Sequence, residues 1–358
     1  MTFPPLCTPR WDAQPITLAL EGGGSLGAFA WGVLDRLVDV PETRIEAVSG
    51  TSAGAINAAL LVQGLATGGP TRAKYLLETF WRRVAIASGS WPGPVGTWLH
   101  MLSDTMAPMV DAMRQTTAAW TSSLGPSGIN PLRGILTEML DPAAFQRSGA
   151  PALVVAATCV RTGEARLFYN AEVSVDALLA SACLPQLFPA VTIQGESYWD
   201  GAYSSNPPIS PLIEAGAPAD VLIVRTTPLQ CPKQPLGNPA VEERLNEITF
   251  SAALRSELRS IALAQILPAD VVGVPLRLAR LRDARLHMIG AEAKFQALPG
   301  GSKRDPTWGF LSNMRALGHQ AADHWLGDNL SAIGHRSTLD VARFADMGVP
   351  GSAVRMAA

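Results

Sequence analysis

The first 65 residues alternate strand, glycine loop, helix, strand, tight turn and helix, and few folds accommodate that order. Residues 16–20, Ile-Thr-Leu-Ala-Leu, read as a buried strand. Residues 28–40 place Phe29, Val33, Leu34, Leu37 and Val38 at helical spacing. Residues 45–48 read as a second strand, and a sharp turn at Ser49-Gly50-Thr51-Ser52 opens a helix over 53–65. Strands alternating with helices predict an α/β fold whose parallel or mixed sheet is covered by helices.

The rest of the chain extends this pattern. A helix is expected over 72–87, strands over 153–160 and 166–169 around a turn at 161–164, and a short helix over 175–181. A strand pair over 191–199, a strand over 221–225, a helix over 242–267, a strand over 285–289 and a helix over 308–325 follow. Residues 88–128 break the composition: they are rich in Trp, Met, Gly, Pro and Ser and poor in charge. Within them Val95, Trp98, Leu99, Leu102, Met106, Met109, Val110 and Met113 form one helical stripe, kinked at Pro108. The expectation is one domain over 14–326 with a helical insertion at about 88–128, and a weakly patterned tail over 327–358.

Hydrophobic content of 47% against 16% charged residues predicts a large buried core. The formal net charge of −2, with no clustered cationic face, argues against nucleic acid as a partner. Residues 1–10 lack the basic and apolar regions of a secretory signal. The longest apolar run, 55–66, contains Asn57 and Gln63 and is too short to span a membrane, so it reads as a buried helix. The four cysteines are widely spaced, with Cys159 and Cys183 in apolar runs. A cytoplasmic location is expected.

Three motifs carry chemistry. The loop Glu21-Gly22-Gly23-Gly24-Ser25-Leu26-Gly27 follows a strand and opens a helix, so its N–H groups converge and bind negative charge. An oxyanion hole, a dinucleotide site (Gly22, Gly24 and Gly27 match G-x-G-x-x-G) and a plain tight turn all satisfy that loop. Gly50-Thr51-Ser52-Ala53-Gly54 is a G-x-S-x-G elbow, in which small neighbours let a serine occupy a strained strand-to-helix turn. The plain alternative is an N-cap serine. Trp199-Asp200-Gly201-Ala202 offers a carboxylate that burial beside Tyr198 and Trp199 would raise into the range of a base, or else a solvated Asp-Gly turn.

Together these motifs resemble the patatin-like phospholipase family. The likeness extends to Ala180-Ser181-Ala182-Cys183-Leu184-Pro185-Gln186-Leu187-Phe188-Pro189 and to the run from Tyr198 through Asp200 and Gly201 to Asn206 and Pro207. It covers about 17–225 well and the C-terminal third only loosely. The resemblance implies a three-layer α/β/α fold and a Ser-Asp dyad with Ser52 as nucleophile and Asp200 as base. It also implies an oxyanion hole at Gly22, Gly23, Gly24 and Ser25, and hydrolysis of acyl esters, often lipids, without calcium. Gly27, Gly50, Gly54 and Gly201 are the motif glycines. The family loop usually carries Arg or Lys where this chain has Leu26, which implies a preference for neutral or weakly charged esters.

Other readings stay open. The insertion is either a subdomain packed on the sheet or an acyl-chain lid touching lipid, and peripheral contact with membranes or lipid surfaces is expected under the second. His287, His319, His324 and His335 are candidate third members of a triad, and the order Ser52, Asp200, His287 would make a Ser-His-Asp esterase. A non-catalytic lipid-binding or scaffold protein is a further reading. No metal and no cofactor are expected, because no His, Asp or Glu cluster has ligand spacing.

Overall fold

Side chains on the central strands alternate between two apolar cores, because successive residues of a strand face opposite sides. The computed structural model describes residues 13–88 and 130–345, apart from 233, 269–270 and 299–300. Its strands are β1 (Gln14–Leu20), β2 (Thr43–Thr51), β3 (Ala152–Cys159), β4 (Ala165–Tyr169), β5 (Val191–Ile193), β6 (Glu196–Asp200), β7 (Asp220–Val224) and β8 (Arg285–Ile289). They form one sheet in the order β5-β6-β3-β2-β1-β7-β8, with β4 also on β3. The run from β3 to β8 is parallel, while β4, β5 and β6 enter antiparallel.

Leu18, Leu20, Leu222 and Val224 belong to one core, and Ala19, Val221 and Ile223 to the other. The first core is covered by α1 (Gly27–Leu37), α2 (Ala53–Ala87), α3 (Leu132–Met139), α4 (Val175–Ser181) and, from the far end of the chain, α9 (Trp308–Asn329). The second is covered by α5 (Ser210–Ala215), α6 (Asn238–Gln265) and α7 (Leu276–Arg282). Each side of the sheet therefore carries a helical layer, the three-layer α/β/α arrangement expected from the sequence. The remaining helices, α8 (Glu292–Gln296) and α10 (Ala342–Ala345), are short.

Most elements lie where the apolar periodicity puts them. The two helices expected over 53–65 and 72–87 are the two halves of α2, broken where Gly68 and Gly69 leave helical geometry ahead of Pro70. The polar residues inside the apolar run are bonded. Asn57 donates to the Gly27 carbonyl (2.8 Å) and accepts from the Trp81 indole (3.1 Å). Gln63 donates to the Met139 carbonyl (2.9 Å) at the end of α3. That helix had no clear sequence signal. The expected insertion over 88–128, with its Met/Trp stripe and kink at Pro108, lies outside the described residues except for Ser88. Residues 328–345, weakly patterned in sequence, are packed: the Leu286 carbonyl accepts the N–H groups of Thr338 and Leu339, and Phe344 is buried in the second core.

The first and last long helices touch backbone to backbone. A Cβ on Gly32 would sit 1.9 Å from the Arg315 carbonyl oxygen, and one on Gly318 would sit 2.0 Å from that of Phe29. Among the described residues no helix is long and apolar enough to cross a membrane.

Candidate active site

Because β1 and β2 are parallel neighbours with Leu20 opposite Gly50, the loops that follow them emerge side by side. The glycine loop leaves β1 and the serine elbow leaves β2. They meet so closely that a Cβ on Gly22 would lie 2.8 Å from both the Ser52 Cβ and the Thr51 carbonyl oxygen. Only glycine fits there. Gly27, Gly50, Gly54 and Gly201 occupy similarly tight crossings.

Ser52 has φ 56° and ψ −126°, a conformation that side chains rarely adopt, at the start of α2. Such strain persists only where neighbours hold it. Here the Ser52 N–H donates to the Ser181 hydroxyl (2.9 Å), and the Thr51 hydroxyl donates to the Ser205 carbonyl (2.7 Å). Both anchors come from the segments that flank Asp200 in sequence.

Asp200 ends β6 and is reached from β2 across one strand, since Thr51 pairs with Ala156 and Ala157 pairs with Asp200. Its backbone is fixed by its own N–H donating to the Cys183 carbonyl (2.8 Å) and by the Thr158 hydroxyl donating to its carbonyl (2.8 Å). One carboxylate oxygen accepts the Ala202 N–H (2.9 Å). The group is 2% exposed. Burial pushes its pKa up to about 7, against the opposing pull of the Ala202 N–H and the Ser52 hydroxyl. The serine hydroxyl is thus close enough to the carboxylate to stabilise its charge. Tyr198 shares the buried face of β6 with Asp200, while Trp199 points to the other face.

The glycine loop is held from two sides. The Gly22 N–H donates to the Asn206 side-chain oxygen (2.8 Å), and Asn206 donates onward to the Phe250 carbonyl (3.1 Å). Glu21 is fully enclosed, and one of its oxygens accepts the N–H groups of Thr226 (2.6 Å) and Thr227 (2.8 Å). Burial pushes Glu21 up to about 7, opposed by those two bonds and by the charges of Arg225 and Lys303. Beyond Gly22, residues Gly24–Leu26 form a 3-10 turn that leads into α1. The first N–H groups of such a turn have no partner inside it. Those of Gly23, Gly24 and Ser25 are the loop's remaining donors, since Gly22 has given its own to Asn206.

Ser52, Asp200, Gly22, Gly23, Gly24 and Ser25 all line one cavity of about 1090 Å³. Much of its lining is apolar, including Ile56, Phe80, Val84, Ile135, Leu184 and Leu187, while Glu242, Glu243, Lys303 and Arg304 also line it. The four candidate histidines lie elsewhere. His287 is on β8, buried, with one ring nitrogen 3.1 Å from Asp220 and the other 3.0 Å from the Thr338 hydroxyl. Burial pushes Asp220 up, but hydrogen bonds from His287, Arg285 and the Gly334 N–H outweigh it and hold the carboxyl well below the usual range. His319 and His324 pair with Asp323 and Asp328 along α9, and none of His287, His319, His324 and His335 lines the cavity. Cys183, in an apolar run of the sequence, is buried and pushed up to about 11 by that burial, as suits an inert core thiol.

Sequence reasoning overlooked the residues that hold the site together. Ser181 and Asn206 lie inside the quoted segments and Glu21 inside the glycine motif, but their partners are far away in the chain. Thr226, Thr227 and Lys303 had no signal at all.

A family model described as patatin-like phospholipase matches residues 18–213. No curated protein matches the chain. Among solved structures, that of VipD from Legionella pneumophila aligns over 88% of this chain and 67% of that one, at 15% identity and a TM-score of 0.39.

Proposed function

The chain belongs to the patatin-like phospholipase family of lipid acyl hydrolases, and from that premise we propose that it cleaves acyl esters with Ser52 as nucleophile and Asp200 as base. One observation carries the reading. A serine in a strained elbow has its hydroxyl close to a buried carboxylate, and both line a largely apolar cavity. A carboxyl raised to about 7 is matched to proton transfer at neutral pH.

In the proposed reaction the Ser52 oxygen adds to the ester carbonyl carbon as its proton passes to Asp200. The carbonyl oxygen takes up negative charge opposite the N–H groups of Gly23 and Gly24, at the head of a turn and helix whose dipole favours it. Collapse of that adduct breaks the bond between the acyl carbon and the alcohol oxygen. The alcohol leaves with the proton from Asp200, and the acyl group stays on Ser52. Water then adds in the same way, its proton taken by Asp200, and the acid departs as Ser52 regains its hydrogen. Gly22 shapes the turn in this reading rather than donating.

The substrate class is an ester with an apolar acyl chain, for which the cavity walls supply the binding surface. Access from a lipid surface is supported by Leu187 and Leu245, which are exposed and line the same cavity. A Ser-His-Asp triad is disfavoured, because both ring nitrogens of His287 are bonded away from Ser52.

The test is hydrolysis of p-nitrophenyl esters of graded chain length by wild type, Ser52→Ala, Asp200→Ala and His287→Ala. Loss of about 10³-fold or more in the first two variants, with His287→Ala active, is the expected result. Activity that survives Ser52→Ala would refute the proposal. A folded wild type inert on every ester would favour a binding or scaffold role.

A further inference from the structure

Lys303 carries a charge that the proposed reaction at Ser52 and Asp200 does not use. Its ammonium is enclosed by protein and has no hydrogen-bond partner among the described residues. Burying an unpaired ammonium is unfavourable, so a sequence that keeps one there must draw on nearby negative charge. Burial lowers the pKa of Lys303, and the charges of Glu21, Glu247 and Glu243 pull it back up, Glu21 most strongly. Glu247 is already paired with Arg244.

The position of Lys303 is specific. It lies on the short turn Ser302–Arg304, whose Lys303 carbonyl oxygen stands 2.3 Å from where a Cβ on Gly24 would be. The turn and the glycine loop are therefore in backbone contact. Lys303 lines the same cavity as Ser52, Asp200, Gly23 and Gly24. The loop from Glu21 to Gly27 contains no cation of its own, but it does begin with a buried acid. One oxygen of Glu21 is held by Thr226 and Thr227, and the other, like the Lys303 ammonium, is enclosed and unbonded. An ionised Glu21 directly beneath the loop opposes any negative charge that forms above it. Glu21 is itself enclosed by protein, so its charge is weakly screened.

We propose that Lys303 is the positioning cation of the oxyanion site: anchored by its backbone against Gly24, it offsets the charge of Glu21 and so favours negative charge at the N–H groups of Gly23 and Gly24. It acts across the loop without touching substrate, and its effect falls on the rate of acyl transfer rather than on substrate affinity. The proposal rests on the acyl-hydrolase reading of Ser52.

The experiment measures kcat and KM for p-nitrophenyl butyrate in wild type, Lys303→Met, Lys303→Arg, Glu21→Gln and Glu21→Gln/Lys303→Met, with Ser52→Ala as the blank and folding checked by circular dichroism. The expected result is a fall in kcat of about 10- to 100-fold in Lys303→Met with KM within about twofold. Lys303→Arg should stay within about fivefold of wild type, because the charge is kept. The double variant should recover at least about threefold over Lys303→Met, because the opposing charge is gone too. Binding of a trifluoromethyl ketone, which forms an anionic adduct on the serine, should weaken in parallel with kcat. A Lys303→Met kcat within twofold of wild type, a loss confined to KM, or a double variant no faster than Lys303→Met overturns the proposal. If Lys303→Met fails to fold, the same comparison is made with Lys303→Gln. A wild type with no activity above Ser52→Ala overturns the acyl-hydrolase reading and this inference with it. Ser52-dependent activity that ignores Lys303 overturns the inference alone.

Discussion

Asp200→Asn exchanges a buried acid for a neutral side chain of the same shape that still accepts the Ala202 N–H. The carboxyl is 2% exposed, and burial raises its pKa from 3.8 to about 7. A raised value means that the folded protein binds this proton more tightly than the unfolded chain does. The stabilisation is fully present below pH 3.8 and is lost as the pH rises through about 7, because the folded state must then bury a charge that the unfolded state solvates. Working the linkage between those two values, wild type should lose about 3 kcal/mol between pH 5 and pH 9 through this group alone. The Asn variant should lose none of it. Glu21, also raised to about 7, titrates in both proteins and cancels in the difference. Urea unfolding followed by tryptophan fluorescence at pH 5, 7 and 9 measures the effect. The Asn variant should gain on wild type steadily as the pH rises, and a stability difference that does not change with pH would refute the reasoning. In wild type, kcat/KM should rise through pH 7 as Asp200, the proposed base, loses its proton.

Two further expectations follow from the same geometry. Ser52→Gly should abolish esterase activity yet stabilise the fold by about 1–2 kcal/mol, because glycine adopts the positive φ of 56° without strain, and a lower urea midpoint would count against the strained elbow. Asn206→Ala leaves the buried Gly22 N–H without its acceptor; it should cost about 1–3 kcal/mol in urea unfolding and lower kcat more than KM as the glycine loop loosens.

The local parts of this protein were readable and its long-range supports were not. Strand β8 and the helical halves of α2 were visible because apolar periodicity and glycine are signals carried within a few residues. The glycine loop and the elbow were readable for the same reason, and their meeting follows once β1 and β2 are parallel neighbours. Asp200 was named from its motif, yet its burial depends on β6 lying beside β3. Nothing near Gly22 in sequence indicates that Asn206, 184 residues away, holds its N–H. The Ser181 hydroxyl under Ser52 is 129 residues from its partner. Leu26 suggested a loop without positive charge, but that reasoning could not see Lys303 arriving from the C-terminal third. His287 looked free to join a triad because its pairing with Asp220 is set by β7 and β8, not by spacing.

Contact between Gly32 and the Arg315 carbonyl, and between Gly318 and that of Phe29, also limits where this chain can be divided. The family-matched stretch over 18–213 is not a removable module. Ending the chain there would strip β7 from β1 and turn the strand that carries the glycine loop into an exposed edge. It would also uncover the side of α1 against which α9 is fitted. A chimera that grafts another protein's C-terminal third onto this family-matched stretch must therefore supply a helix with a small residue facing Phe29, or the seam will not close. The stretch with the loosest family likeness and the stretch with the clearest must be exchanged together.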